Sequence, residues 1–340
     1  MRGYVAAILV SLAMTGSAAA ETELLDWSDL KGWADDDLEE ALSVFLETCG
    51  DLKEGDWPAI CALAKSAGNP KTFFETAFRP VLITDGEPPL FTGYYEPELL
   101  GSRQKSNRFQ YPLYKRPENA PNGTPWLTRE EIETSGILEG QALEIAYLED
   151  PVEKFFLQIQ GSGRIRLHEG GSLRVGYGGK NGHPYRSVGK ELVRRGIFEE
   201  HQVSAKVIRR WVSENPQEGP ELLWHNPSYV FFREISRVPP NRGPLGAMNR
   251  SVTAGRTLAV DPDFVPLGAP VWLEKAGKSP FHRLMIAQDT GSAIKGAQRG
   301  DIFYGTGDEA GKIAGAIRDS GRMIVLLPVA DAFALAENRG

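Results

Sequence analysis

The chain has 340 residues, of which 41% are hydrophobic, and a formal net charge of −7. That charge is spread without a basic block, which argues against nucleic acid as the main partner. Glycine and proline, at 37 and 23 residues, stand above their average combined share of about 12%, so the composition predicts many turns around real cores, a β-rich protein and not a disordered one.

Residues 1–20 open on Arg2, continue through an apolar run from Tyr4 to Met14 and end in Gly16-Ser17-Ala18-Ala19-Ala20. A basic start, a short apolar middle and an Ala-x-Ala end predict a secretory signal peptide cleaved after Ala20. The run is too short and wrongly flanked for a permanent membrane span. No cysteine lies near the cleavage site, so the expectation is a periplasmic protein with no lipid anchor at that site. Residues 38–49 and 57–67 carry apolar side chains at helical spacing. Cys49 and Cys61, the only two cysteines, are expected to pair there in an oxidising compartment.

Beyond these helices the texture turns to strands. "FTGYYEPELLGS" (91–102), "KFFLQIQGSGRIRL" (154–167) and "SYVFFREI" (228–235) are rich in aromatic and β-branched residues broken by Gly or Pro. Thr128 with Glu131 forms a capping box for a helix that stops at Gly136. "SVGKELVRRG" ends a second helix at Gly196, and Ser204 caps a third that runs to Pro216. The Pro-rich stretch 236–246 reads as a boundary. After it, "TLAVDPDFVPLGAPVWLE", "RLMIAQDTG", "GDIFYG" and "GRMIVLLPV" supply short apolar strands for a compact barrel.

Two aspartates in this last region invite chemistry. Asp301 stands at the mouth of the apolar strand Ile302-Phe303-Tyr304, where desolvation disfavours its charged form, and such a carboxyl can donate a proton near neutral pH. Asp289 ends another apolar strand; if the two strands are barrel neighbours, both carboxyls reach one groove. Turn formation is the competing reading for both, since aspartate beside glycine is ordinary turn chemistry. Asp261 and Asp263 flank Pro262 in a turn, and Thr306 with Glu309 matches a capping box. Tyr94 and Tyr95, Gln158 and Gln160 on one face of their strand with Phe156, and Tyr177, Asn181 and Tyr185 in the glycine-rich loop 176–185 are the side-chain types that suit sugars. Core packing is the competing reading for the aromatics. The histidines lack metal-ligand spacing, no Gly-x-Ser-x-Gly elbow occurs and the cysteines lie far from a partner histidine. No metal and no cofactor is expected.

The motifs "FTGYYEPE", "FFLQIQGSGRIRL", "GYGGKNGHPYRSVGKEL", "NPSYVFF", "GPLGAMNRSVTAGRTLAVDPDFVPLGAPVWL" and "AQDTGSAIKGAQRGDIFYGTGDEAG" closely resemble the membrane-bound lytic transglycosylase A family, over roughly residues 80–330. The family's C-terminal 3D domain carries three aspartates, which fall here on Asp261, Asp289 and Asp301. The resemblance implies a mainly β protein with accessory helices. A double-psi β-barrel, barwin- or expansin-like, would be built from residues 21–98 and 239–340, with a second β-barrel inserted at 99–238. It implies a peptidoglycan strand in the groove between them and a single catalytic aspartate, Asp301, with Asp289 in support. The substrate contacts expected with it are Asp261, Tyr94, Tyr95, Gln158, Gln160, Ser162, Tyr177 and Asn181. The reaction implied cleaves the MurNAc–GlcNAc bond and leaves 1,6-anhydro ends; a glycan hydrolase and a non-catalytic wall-binding module are the alternatives. The expected state is a monomer, with a cell-wall synthesis or division complex as the candidate assembly, in the periplasm or against the outer membrane or wall.

Overall fold

The computed structural model describes residues 20–337 apart from 122, 237, 240, 241 and 278. The predicted signal peptide therefore lies outside the described residues except at Ala20. The protein is mainly β, with fifteen strands among the described residues, divided between two sheets.

The first sheet draws on both ends of the chain. Its N-terminal strands are β1 (Glu21–Leu24), β2 (Phe78–Thr84) and β3 (Leu90–Glu96). The intervening strands β4 (Glu98–Ser102), β5 (Tyr111–Tyr114), β6 (Glu144–Leu148), β7 (Gly163–Leu167), β8 (Ser172–Lys180) and β9 (Val230–Ile235) make the second sheet. The chain then returns to the first with β10 (Thr257–Ala259), β11 (Pro270–Lys275), β12 (Phe281–Asp289), β13 (Arg299–Thr306), β14 (Arg318–Asp319) and β15 (Gly321–Pro328). Strand order is β1-β2-β15-β11-β12-β10-β13-β3-β14 in the nine-stranded, nearly closed sheet and β5-β6-β4-β7-β8-β9 in the six-stranded one. Valine, isoleucine and leucine alternate onto the inside of the first, where Leu258, Val271, Met285, Ile302 and Val325 are fully buried or within 1% of it.

Helices α1 (Leu38–Thr48), α2 (Trp57–Lys65) and α3 (Pro70–Ala77) cover one face of the nine-stranded sheet. Asp37 caps α1 and Asn69 caps α3 with side-chain oxygens. Phe45, Phe74 and Phe78 meet in a common aromatic cluster, and the Cys49–Cys61 disulfide ties α1 to α2. Helix α4 (Arg129–Thr134) has the predicted Thr128–Glu131 capping box.

One strand expectation fails. Residues 151–160 form helix α5 (Pro151–Gln160), and only Gly163–Leu167 of that stretch is extended. Asp150 accepts the Val152 N–H, Pro151 supplies a pre-set first helical residue and Gly161 closes the helix in the left-handed region. These end signals, with Val152, Phe155 and Gln158 buried at helical spacing, outweigh the aromatic run. Helices α6 (Val188–Arg194), α7 (Ala205–Glu214) and α8 (Glu218–Trp224) pack with α5 in a second helical layer. Helix α9 (Asp308–Ala314) follows β13 and α10 (Val329–Glu337) follows β15. The Thr306–Glu309 capping box does not form: Gly307 is the N-cap, and the Thr306 hydroxyl donates instead to Glu96. Packing of α9 demands glycine at 93, where a Cβ would come within 2.7 Å of the Ala314 α-carbon.

The crossing between the sheets is fastened by one carboxylate. Glu96 ends β3, is fully buried, and is followed by Pro97 and then β4. Its Oε2 accepts from Arg164 (2.9 Å), Arg174 (3.1 Å) and Thr306 (2.8 Å). Arg174 Nε also lies 2.7 Å from Oε1 outside hydrogen-bond angles, so that contact is ionic only. Both arginines donate to the carbonyl of Arg242, on the returning segment. The outgoing and incoming connections are thus held by the same buried cluster.

Candidate active site

A row of four residues across four strands sets up the site. Ala259 of β10 pairs with Asp289 of β12 on one side and with Asp301 of β13 on the other, and Asp301 pairs with Thr92 of β3. The two aspartate strands are not direct neighbours, the condition set for a shared groove, since β10 runs between them, yet both carboxyls face one cavity. At a usual strand spacing of about 4.8 Å the two aspartate α-carbons stand roughly 10 Å apart, and in the row between them there is only the methyl group of Ala259. Both carboxyls line a cavity of about 270 Å³ whose other wall comes from the second body, through Gln158 and Gln160 of α5 and Ser228 ahead of β9.

The two carboxyls differ in their hydrogen bonds. Asp289 Oδ1 accepts the N–H groups of Ala247 and Thr290, both at 2.9 Å, and its Oδ2 accepts the Tyr94 hydroxyl at 2.9 Å. Asp301 Oδ1 accepts the Thr92 hydroxyl at 2.6 Å. Its Oδ2 receives no donor among the described residues and is not sealed from the cavity. Burial pushes the Asp301 carboxyl up to about 6; the Thr92 hydrogen bond and the Arg299 charge work downward, and repulsion from Asp289 adds to the rise. Burial likewise carries Asp289 to about 6 against the pull of its three donors. Buried beside these acids, the Tyr94 hydroxyl is held well above its usual range, so it remains a donor.

The remaining predicted residues divide between the cavity, which Tyr185 also lines, and places away from it. Tyr94 and Tyr95 alternate across β3, and the Tyr95 ring lies against Gly311 of α9, away from Asp289. Gln158 and Gln160 do meet the cavity, from a helix end and not from a strand face: Gln158 accepts from Arg129 at 2.5 Å and donates to the Val230 carbonyl, and Gln160 accepts the Tyr95 N–H. Asn181 is buried and fully used, donating to the carbonyls of Leu127 and Pro227 and accepting from the Tyr229 N–H. Ser162 is buried and Tyr177 half exposed, and neither lines the cavity. Asp261 is buried outside it as well: its oxygens accept from Lys295 at 2.7 Å and from the Gly296 N–H at 3.0 Å. Burial pushes its carboxyl up, but these donors more than offset that and hold it below the usual range. The loop it fastens, 290–298, walls the cavity on the barrel side.

Three residues of the site carried no usable sequence signal. Thr92 is one threonine in a strand. Arg299 reads as a surface charge, yet its guanidinium donates to Thr92 Oγ1 and to the carbonyls of Leu90 and Gly300. Arg129 reads as the first residue of a capped helix; it is buried against the rings of Phe155 and Tyr229 and donates to Gln158 and to the carbonyls of Asn226 and Ser228. Among the described residues no cluster of three or more His, Cys, Asp or Glu is placed to hold a metal ion.

Comparison with known proteins places this architecture. The family model for the MltA specific insert domain matches residues 90–233, and that for the 3D domain matches residues 256–327. The membrane-bound lytic murein transglycosylase A of Vibrio cholerae is 34% identical over 270 residues, 76% of this chain and 71% of that protein. The crystal structure of a membrane-bound lytic murein transglycosylase from Agrobacterium tumefaciens is similar at a TM-score of 0.81 and 32% identity, covering 92% of this chain and 99% of that one. The Escherichia coli MltA structure with bound chitohexaose is similar at a TM-score of 0.72 and 28% identity, over 90% and 94% of the two chains. The chain belongs to the membrane-bound lytic murein transglycosylase A family.

Proposed function

We propose that this protein is a peptidoglycan lytic transglycosylase that cleaves the β-1,4 bond between MurNAc and GlcNAc with Asp301 as its one acid and base. The observation that carries the reading is the pair of contrasting carboxyls. Both are raised toward neutrality by burial, but only Asp301 keeps an oxygen unclaimed and open to the cavity. Protonated Asp301 donates to the glycosidic oxygen as the C1–O bond breaks. The carboxylate left behind takes the proton of the muramyl C6 hydroxyl, whose oxygen closes on C1 to give the 1,6-anhydro ring. One group serves both steps because the first turns the acid into the base the second needs. Asp289 is poorly suited to attack carbon or activate water, as a two-carboxylate hydrolase requires, since three donors already engage its oxygens. It supports the site electrostatically and anchors Tyr94.

The glycan-binding cleft lies between a barrel of residues 21–98 with 239–340 and an inserted barrel of 99–238, a division supported by sheet membership. The parallel pairs β10–β12 and β13–β3 within an otherwise antiparallel sheet support a double-psi connection. The Escherichia coli relative with bound chitohexaose supports a β-1,4-linked amino-sugar strand as the ligand. Export to the periplasm follows from the signal peptide reading; among the described residues no helix is long and apolar enough to cross a membrane. Digestion of purified sacculi in ¹⁸O-labelled water tests the chemistry. Anhydromuramyl ends without label are expected, with no release by Asp301→Asn; labelled reducing ends would overturn the reading in favour of hydrolysis.

A further inference from the structure

The geometry points to Thr92 and Arg299 as positioning residues that assign the acid proton of Asp301 to Oδ2, the oxygen that opens on the cavity. This inference rests on Asp301 being the acid, and it concerns a different matter: which of two chemically equivalent oxygens carries the proton.

A threonine hydroxyl has one hydrogen to give and two lone pairs to receive with. Thr92 Oγ1 lies 2.8 Å from Arg299 Nη2 and 2.6 Å from Asp301 Oδ1. A guanidinium has no acceptor, so the contact with Arg299 uses a lone pair of the hydroxyl. Two arrangements then remain for the contact with Asp301. In one, Thr92 donates to Oδ1; every polar hydrogen in the chain Arg299–Thr92–Asp301 has an acceptor, and an acid proton must sit on Oδ2. In the other, Oδ1 carries the proton and donates to Thr92. The hydroxyl hydrogen is then left with no other acceptor among the described residues, at the cost that attends an unmade hydrogen bond in a partly buried site. The first arrangement wins because nothing is left unpaired.

Arg299 is itself held in place. Its Nη1 donates to the carbonyls of Gly300 at 2.5 Å and Leu90 at 3.3 Å, so the guanidinium bridges β13 to β3 and cannot swing to take over Oδ1. The strand register does the rest, since Thr92 and Asp301 are direct cross-strand partners in a parallel pair. For the cycle proposed above the consequence is that one oxygen serves both half-reactions. Oδ2 gives its proton to the leaving oxygen and recovers one from the C6 hydroxyl, while Oδ1 stays occupied by Thr92 throughout.

Thr92→Val keeps the side-chain shape and removes both functions of the hydroxyl; Thr92→Ser restores them. Muropeptide release is measured from pH 4 to 9 for the wild type, both Thr92 variants, Arg299→Gln and Asp301→Asn, with melting temperature and chitohexaose affinity for each. Because the Thr92 hydrogen bond favours the charged form of Asp301, its loss is expected to move the basic limb of kcat up by about half to one pH unit. It is also expected to lower kcat on the plateau by about tenfold, the size of one lost transition-state hydrogen bond, with KM unchanged. Thr92→Ser is expected to behave as wild type and Arg299→Gln to follow Thr92→Val in direction. In the infrared difference spectrum, the protonated carboxyl C=O band of Asp301 is expected at higher frequency in Thr92→Val than in the wild type. A Thr92→Val enzyme with wild-type kcat, limb and band, beside an inactive Asp301→Asn, would overturn the positioning role and leave the acid assignment standing. Loss of melting temperature and glycan affinity with no displaced limb or band would also overturn it, in favour of a purely structural threonine. An active Asp301→Asn would remove the acid assignment and this inference together.

Discussion

Replacing Glu96 with glutamine tests what holds the two bodies together. The substitution preserves shape but leaves Arg174, with 8% of its side chain exposed, and Arg164, with 22%, facing a neutral amide in a site where Glu96 is fully buried. Breaking a buried ion pair from one side costs about 3–5 kcal/mol, because the cost is the stranded charge and not the bond alone. At an unfolding entropy of about 2.1 cal/mol/K per residue, a chain of 340 residues loses about 1.4 °C of melting temperature per kcal/mol, so Glu96→Gln is expected to melt at least about 4 °C below wild type by circular dichroism. Glu98→Gln is the matched control: its pair with Arg166 spans 4.0 Å with 68% and 44% of the side chains exposed, and such pairs contribute about 0–1 kcal/mol. If Glu96→Gln and Glu98→Gln melt within about 2 °C of each other, the buried cluster is not what fastens the crossing.

Three further outcomes follow from the same physics. Asp301 binds its proton more tightly folded than unfolded, with a carboxyl raised from 3.8 to about 6; its charge therefore costs stability above pH ~6, up to about 3 kcal/mol, and nothing below pH ~4. Asp301→Asn is expected to raise the melting temperature at pH 7.5 and not at pH 4, and equal effects at both would contradict the burial argument. Reducing the Cys49–Cys61 bridge, twelve residues apart in sequence, is expected to cost about 3 kcal/mol by loop-closure entropy. A urea midpoint measured with and without reductant checks this, while activity at 25 °C should persist because the bridge lies in the helical cap. Ala259→Leu is expected to abolish muropeptide release while leaving the melting temperature within a few degrees, since the larger side chain fills the gap between the two carboxyls; wild-type turnover would show that the gap is not where the sugar sits.

Local signals read the local structure well. The apolar periodicity of α1 and α2, the capping box at Thr128 and the strand ending at Asp289 all stand where the sequence puts them. The failures share a cause. Helix α5 was hidden by aromatic residues that suit strands, and only its Asp-Pro start and Gly161 stop would have revealed it. Thr306 was claimed by a buried carboxylate more than two hundred residues away. Asp289 and Asp301 are candidates from their strands alone, yet nothing nearby in sequence says that β10 separates them or that Thr92 completes the row. Asn181 offers amide chemistry by type, and long-range carbonyls consume it. Side-chain identity suggested the chemistry; register decided which groups are free to perform it.

The pairing of β3 with β13 has a bearing on when the enzyme can first cut. Thr92 meets Asp301 only after about two hundred further residues have been made, and β2 stays without its partner β15 until residues 321–328 arrive. During synthesis the intervening body can assemble first from its own nearer pairings, while the early barrel strands wait. A chain interrupted before β13 therefore carries Thr92 without the carboxyl it pairs with, and the capacity to open the wall appears only once β13 has joined β3.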